Sequence, residues 1–224
     1  MDIWDTLRNI LKRLYDRRGV TEFFRRDEAY LRQAYIEIEA LWLSQLHRHE
    51  AMRFVMISEA PLLGDEKRYV YNPSAECSRF LQESDLERIV GRRLHGKAEL
   101  LDALVEASLV IIDVFPFALK PHLTAVAYSR DPQGTLADDE YAALARECSL
   151  PYLKTRLAML APKLDRGALS FFRYQRVADL AGPLAPLLSE HGAPLTSPPR
   201  VVSGRCGYVD REALHRLLAV APPP

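Results

Sequence analysis

Two acidic residues stand at the ends of apolar runs, and a proline closely follows each of them. Residues 54–61 read FVMISEAP and residues 108–116 read SLVIIDVFP, so segments rich in β-forming residues end at Glu59 and Asp113. A carboxylate can act as a general acid or base when partial burial moves its pKa towards the working pH. Each acid also has a structural interpretation: Glu59 could cap the following turn, and Asp113 could accept hydrogen bonds from backbone amides.

Aromatic and basic residues occur in the connecting segments. Tyr69 and Tyr71 would face the same side of an extended loop, where they would either stack on a planar ligand or pack in the core. The stretch SGRCGY at 203–208 lacks the Lys-Ser/Thr pair of a phosphate-binding loop. It predicts a tight turn that directs Arg205 towards a phosphate backbone.

The histidines and cysteines do not indicate a metal site or a cofactor. Three cysteines, Cys77, Cys148 and Cys206, lack C-x-x-C spacing and are predicted to be free thiols. The six histidines lack metal-ligand spacing and are predicted to lie on the surface; they are His47, His49, His95, His122, His191 and His215.

Composition excludes several classes of protein. Thirty basic and thirty acidic residues cancel, which argues against a general nucleic-acid coat protein. No apolar run approaches the roughly 20 residues of a membrane helix, and the charged N-terminus does not resemble a secretory signal. We therefore expect a soluble, cytoplasmic protein without a membrane partner; its oligomeric state is not predicted.

Nine arginines would form either a local basic rim or a solvated surface: Arg17, Arg18, Arg25, Arg26, Arg92, Arg93, Arg200, Arg205 and Arg211.

Hydrophobic periodicity predicts the elements that position these residues. Two helices, broken near Gly19, fit residues 2–49. Strands fit residues 53–58, 109–114 and 168–172, with a final strand around Leu195, and helical segments lie between them. One of these helical segments runs from Asp138 to about Leu160, and Pro151 should bend or break it. This alternation predicts an α/β fold, a three-layer α/β/α sandwich around a central, mostly parallel four-stranded sheet. Residues 1–224 are expected to form a single domain, with 1–50 as an N-terminal helical extension packed on it.

Three segments together resemble the uracil-DNA glycosylase superfamily over about residues 50–220. ISEAP with the YVYNP loop is similar to its first motif, VIIDVFP to its second strand, and TSPPRVVSGRCGYVDREALHRLL to its last motif, a loop that enters the DNA minor groove. The resemblance implies a crevice at the carboxyl ends of the strands that holds a flipped base. It implies the following roles: Glu59 and Asp113 catalytic; Ala60, Pro61, Tyr69, Tyr71 and Phe115 base-binding; Thr196, Ser197, Arg200 and Arg205 nucleic-acid-binding.

The chain departs from this superfamily at informative positions. Ser58 stands where the superfamily has glycine, Ala60 where several members have a water-activating Asp or Asn, and Asp113 where many have Asn. Leu195 or Thr196 replaces the histidine of the last motif. The resemblance therefore implies a divergent member that binds nucleic acid and excises a damaged or modified base by N-glycosidic bond hydrolysis.

Two alternatives come from other classes of protein. The first is a catalytically inactive member of the fold that acts as a nucleic-acid or protein binding module. The second is a small-molecule enzyme on an unrelated doubly wound sheet, although the chain has no G-x-G-x-x-G turn for a dinucleotide cofactor.

Overall fold

The computed structural model describes residues 3–61, 67–120, 123–128 and 135–219. Three strands form a parallel sheet: β1 (Met52–Ser58), β2 (Leu109–Asp113) and β3 (Leu164–Phe172). Their order is β2-β1-β3, so β1 is central. Every residue of β2 and nearly every residue of β1 is buried, as in parallel sheets that are covered by helices on both faces. The predicted mixed α/β class and the parallel arrangement are confirmed.

The predicted count of four strands is wrong for the described residues. Near Leu195 the chain runs beside β3 but forms only isolated parallel bridges, Ser170 with Leu195 and Phe172 with Val201. Four backbone hydrogen bonds join this segment to β3: Ser170 N to Pro194 O at 2.7 Å, Thr196 N to Ser170 O at 3.0 Å, Phe172 N to Arg200 O at 2.9 Å and Val202 N to Phe172 O at 2.9 Å. Pro194, Pro198 and Pro199 have no N–H group, so this segment cannot supply a continuous ladder.

Helices surround the sheet in the described part of the chain. Their bounds are α1 Ile3–Arg17, α2 Phe24–Arg48, α3 Glu83–Val90, α4 Gly96–Glu106, α5 Asp138–Cys148, α6 Lys154–Leu160, α7 Gln175–Ala178, α8 Ala181–Glu190 and α9 Arg211–Ala219. The predicted break near Gly19 lies between α1 and α2, where Gly19 has a φ of +66° that glycine adopts readily.

The N-terminal helices are joined to the sheet by packing and by hydrogen bonds. Buried apolar side chains of α1, α2 and the strands form one connected cluster. Trp42 of α2 donates from Nε1 to the carbonyl of Ile111 at 3.2 Å, and Gln45 donates to the carbonyl of Leu101 at 3.0 Å. Helix α2 thus packs against β2.

The long helix predicted from Asp138 to about Leu160 is interrupted at the predicted place. A π-helical turn, Ser149–Leu153, separates α5 from α6 and contains Pro151, which cannot donate a helical hydrogen bond. This turn and the start of α6 direct Tyr152 and Arg156 into the interior, where each is 2% exposed.

One of the histidine predictions is wrong. His49, just before β1, is 1% exposed, and neither ring nitrogen has a hydrogen-bond partner in the part of the chain that the structure describes. Burial lowers the pKa of His49 to about 4, with Lys163 and Arg48 acting in the same direction. The imidazole is therefore neutral at physiological pH. His122 lies outside the described residues.

Candidate functional site

The carboxyl ends of β1 and β2 lie side by side, as expected for neighbouring parallel strands. Ser58 is the cross-strand partner of Asp113. Backbone pairing continues beyond the strands, with Val114 N donating to Ser58 O and Phe115 N to Glu59 O, both at 3.0 Å. Because side chains alternate between the faces of a sheet, Ser58 and Asp113 share one face, and Glu59 turns towards the other.

A small cavity opens at this edge of the sheet. Its lining is Ser58, Ala60, Pro61, Arg68, Tyr69, Val70, Phe80 and Asp113. The depression measures about 230 Å³ including its open mouth, and its enclosed part has room for about one water molecule. Ala60, Pro61, Tyr69 and Asp113 of the sequence prediction thus meet here, whereas Glu59 is not among the described lining residues.

Asp113 forms the polar floor of the cavity. It is 5% exposed, and burial raises its pKa to about 7. The nearby Arg156 guanidinium and the hydroxyls of Ser58 and Tyr69 favour the ionised form, whereas Glu39 opposes it. At neutral pH the carboxyl is therefore present in both protonated and ionised forms.

Arg156 is the centre of a group of side chains that we call the Arg156 cluster: Arg156, Glu39, Tyr152 and Trp42. Arg156 Nη2 contacts the Glu39 carboxylate and lies 3.0 Å from the Tyr152 hydroxyl. The guanidinium lies over the Trp42 ring, with 3.7 Å between the guanidinium carbon and the ring centroid. Nε and Nη1 of Arg156 are buried and have no hydrogen-bond partner among the described residues.

Glu59 has a different environment from that of Asp113. Burial raises its pKa, and the Tyr141 hydroxyl and the Arg176 guanidinium partly offset the rise. Arg176 donates to the Tyr128 carbonyl at 2.7 Å and lies 3.9 Å over the Tyr141 ring. Phe115 completes this environment: its ring stacks on Tyr128 at 4.9 Å and meets Tyr141 edge-on at 5.0 Å. Phe115 therefore belongs to the surroundings of Glu59, away from the cavity lining.

The predicted base-stacking tyrosines are both core residues in this structure. Tyr69 and Tyr71 are each 2% exposed and meet edge-to-face at 5.7 Å. The Tyr71 hydroxyl accepts a hydrogen bond from Ile111 N at 2.6 Å and donates to Ile111 O at 3.1 Å, so it occupies the free edge of β2. Tyr69 borders the cavity as well, and it is the better placed of the two for contact with a ligand.

The residues predicted to bind nucleic acid fall in two places. Arg205 is exposed in a short 3-10 turn, Arg205–Gly207. Thr196, Ser197 and Arg200 line a separate cleft beside α9, of about 1020 Å³ including its open mouth.

A buried arginine, Arg173, links the Arg205–Gly207 turn to the cavity. Arg173, directly after β3, donates from Nε to Phe80 O at 2.9 Å and from Nη2 to Gly207 O at 2.7 Å and Arg79 O at 3.1 Å. Phe80 lines the cavity, so Arg173 holds the Arg205 turn against the cavity wall.

Sequence reasoning missed several residues of this region, for different reasons. Arg173 carries the same signal as Glu59 and Asp113, a polar residue at the end of an apolar strand. Arg156, Glu39 and Arg176 lie on helices far away in sequence, and no local pattern connects them with the sheet edge.

The described residues contain neither a metal-binding group nor a bilayer-spanning helix. They contain no group of three or more His, Cys, Asp or Glu side chains arranged to hold a metal ion. Within the same ranges, no helix has the length and apolar character needed to cross a bilayer.

Neither the protein-family models, nor the curated proteins, nor the solved structures contain a match to this chain.

Proposed function

We propose that this protein binds nucleic acid and excises a damaged or modified base by hydrolysis of the N-glycosidic bond. The observation that carries the proposal is the position of Asp113, a buried carboxyl on the floor of a cavity at the carboxyl edge of a parallel sheet. Ligands of open α/β sheets bind outside this edge. The motif resemblance to uracil-DNA glycosylases also implies a base-binding crevice at this edge.

Asp113 supplies recognition of the base. A protonated carboxyl donates one hydrogen bond and accepts another, whereas a carboxylate only accepts. With a pKa of about 7, Asp113 presents both forms near neutral pH. The open part of the cavity would receive the edge of a base that has left the stack, because chemistry on a base requires its extrusion from the duplex.

Glu59 supplies the general base. Its raised pKa makes it a stronger proton acceptor than an ordinary carboxylate. In the proposed reaction Glu59 takes a proton from water and the water oxygen bonds to the sugar carbon C1′. The C1′–N bond breaks as the C1′–O bond forms, its electron pair leaves with the base, and the base takes a proton from Glu59 or from solvent.

Arg205 and the cleft residues Thr196, Ser197 and Arg200 supply the contacts to the phosphate backbone. Arg205 is exposed beside the cavity wall, where a phosphate next to a flipped nucleotide would lie. Each arginine that contacts a phosphate displaces about one counterion, so binding should weaken as salt rises.

Oligonucleotides bearing uracil, hypoxanthine, xanthine or modified cytosines, followed by alkaline cleavage of abasic sites, test the proposal. We expect Glu59→Gln to lower cleavage by about 100-fold or more while binding persists, because a general base contributes about that much. The exposed Glu50→Gln serves as the matched control. Absence of cleavage of every substrate by the wild-type protein would refute the enzymatic part of the proposal.

A second candidate is an inactive member of the same fold that binds nucleic acid or a protein. Two observations favour it: the enclosed part of the cavity holds only about one water molecule, and Ala60 replaces a water-activating residue of the superfamily. Salt-sensitive binding without cleavage of any substrate would select this candidate, and an Arg205→Ala variant with a reduced salt slope would locate the surface.

A further inference from the structure

The cleft beside α9 is much larger than the cavity over Asp113. It measures about 1020 Å³ with its open mouth, and the room for a ligand inside it is about 430 Å³. Pockets that bind small molecules measure about 300–1,000 Å³. The cleft therefore has the size of a ligand site in its own right.

One wall of the cleft is the loop between Thr196 and Val202. Both ends of this loop are held to β3, because the backbone N–H groups of Thr196 and Val202 donate to carbonyls of that strand. Within the loop, Arg200 N donates to Thr196 Oγ1 at 2.9 Å. The loop thus presents its polar side chains at a fixed place on the cleft.

The opposite wall is one face of α9. Ala213, Arg216 and Leu217 line the cleft, and their i, i+3, i+4 spacing places them on the same side of the helix. Leu214 and Leu218 are buried and face the core. The cleft-facing side of α9 is therefore a distinct surface that the hydrophobic core does not use.

The lining combines aliphatic walls with a few polar groups. Its apolar members are Leu169, Val201, Val202, Ala213 and Leu217, and its polar members are Thr196, Ser197, Arg200 and Arg216. Neither an acidic nor an aromatic side chain is among the described lining residues. Unpaired nucleobases bind by stacking on aromatic rings, so these walls suit a hydrocarbon chain better than a base.

The two arginines of the cleft carry charge that the described part of the chain does not compensate. Arg200 and Arg216 are exposed, and neither forms an ion pair with another described residue. By contrast, Arg211 at the start of α9 pairs with Asp85 at 2.8 Å. Guanidinium groups bind carboxylates and phosphates by paired hydrogen bonds, so the cleft is complementary to an anionic head group.

We propose that the cleft beside α9 binds an aliphatic organic anion, a medium-chain carboxylate or alkyl phosphate. Arg200 and Arg216 hold the head group, the Ser197 hydroxyl donates to it, and the chain lies against the aliphatic walls. Arg200 also takes part in the proposed contacts to nucleic acid. The ligand contains no base, however, so this site does not depend on the proposed function.

Isothermal titration calorimetry of the full chain with octanoate and octyl phosphate tests the proposal. Inorganic phosphate supplies a head group without a chain, and octanol supplies a chain without a charge. We expect both alkyl anions to bind, and phosphate and octanol to bind at least about tenfold more weakly, because each lacks one half of the complementary chemistry. Equal affinity for octyl phosphate and inorganic phosphate would overturn the proposal.

Two substitutions on the cleft-facing side of α9 locate the site. Arg216→Gln removes a head-group contact and should lower the affinity for octanoate about tenfold. Ala213→Phe fills the apolar part and should lower it by at least a similar factor. Arg32→Gln is the matched control, because Arg32 is exposed on α2, forms no ion pair with another described residue, and lies on the helix that packs against β2 at the opposite edge of the sheet.

Three outcomes would overturn the proposal. The first is that the wild type binds neither alkyl anion. The second is that both anions bind but neither α9 substitution weakens them, which would place the binding elsewhere. The third is that the anions do not bind and Ala213→Phe converts a dimer into a monomer in sedimentation, which would assign the cleft to a second copy of the chain. None of these measurements involves a nucleobase, so their failure is distinct from absence of base excision.

Discussion

Asp113 is paired with Ser58 across the β1–β2 ladder, and Glu59 lies one residue beyond that pair. This offset of a single residue sends the two strand-end carboxyls to opposite faces of the sheet edge. Asp113 therefore titrates among the hydroxyls of Ser58 and Tyr69 and the Arg156 cluster, and Glu59 titrates beside Tyr141 and Arg176. The two acids are neighbours along the edge but have separate partners, which suits two distinct roles better than a proton shared between them.

Asp113→Asn should change how stability depends on pH. The pKa of Asp113 is raised from its ordinary value of 3.8 to about 7, so the folded state binds the proton more tightly than the unfolded state. Its contribution to stability is fully present below about pH 4 and is lost as pH rises through about 7. At about 1.4 kcal/mol per pKa unit, the loss is on the order of a few kcal/mol.

Urea unfolding at pH 5 and pH 8 measures this effect. We expect the free energy of unfolding of Asp113→Asn, relative to the wild type, to be higher at pH 8 than at pH 5. Asp139→Asn, at an exposed position, is the control. An unchanged difference between the two pH values would show that Asp113 is already ionised in the folded protein at pH 5.

His49→Leu should remove a destabilising effect of acid. The pKa of His49 falls from 6.5 to about 4 on folding, so its contribution to stability is present above about 6.5 and is lost as pH falls through about 4. This dependence opposes that of Asp113 over nearly the same range. The Asp113→Asn variant lacks the opposing dependence, so it should lose more stability in acid than the wild type does.

Thermal unfolding of His49→Leu at pH 4.5 and pH 7.5 provides the measurement. The unfolding temperature at pH 4.5 minus that at pH 7.5 should be more positive in His49→Leu than in the wild type, because the opposing dependence of Asp113 remains. His47→Gln, exposed on the preceding turn, should leave it unchanged. If the unfolding temperature changes equally between pH 7.5 and pH 4.5 in His49→Leu and in the wild type, the lowered pKa of His49 is contradicted.

Tyr71→Phe should destabilise the sheet and leave any ligand binding intact. The variant loses the hydroxyl that bonds both the N–H and the carbonyl of Ile111 at the free edge of β2. Leaving a buried backbone group unsatisfied costs about 1–3 kcal/mol. Chemical denaturation should show that loss, whereas Tyr208→Phe, at a residue that is 38% exposed, should not. Unchanged stability would contradict the structural role of the Tyr71 hydroxyl.

Arg173→Gln should separate the Arg205 turn from the cavity wall. The guanidinium is buried and serves three backbone carbonyls, those of Arg79, Phe80 and Gly207. Hydrogen bonds to charged groups contribute about 1.5–3 kcal/mol each, so we expect a loss of at least about 2 kcal/mol in the free energy of unfolding. Amide hydrogen exchange should also become faster at residues 205–208. Arg166→Gln, at an exposed position of β3, is the control, and equal exchange in both variants would contradict the role of Arg173.

Local sequence patterns predicted much of the scaffold. The apolar β-forming runs at 52–58 and 109–113 required burial on both faces, which a parallel sheet under helices provides. Pro151 predicted the interruption between α5 and α6 because it removes a helical donor. The same argument applied to Pro194, Pro198 and Pro199 would have predicted interrupted pairing beside β3, since each proline removes a donor from the ladder.

What the sequence by itself determined is that two acids occupy the ends of adjacent buried strands, since apolar periodicity and strand-end polarity are local properties of the chain. Tertiary structure alone decided which partners each acid receives. Arg156, which lies 43 residues further along the chain, lowers the pKa of Asp113, and Glu39, on a helix before β1, raises it. The protonation of a buried carboxyl depends on desolvation and on charges within a few ångströms, and no pattern in the linear sequence records those distances.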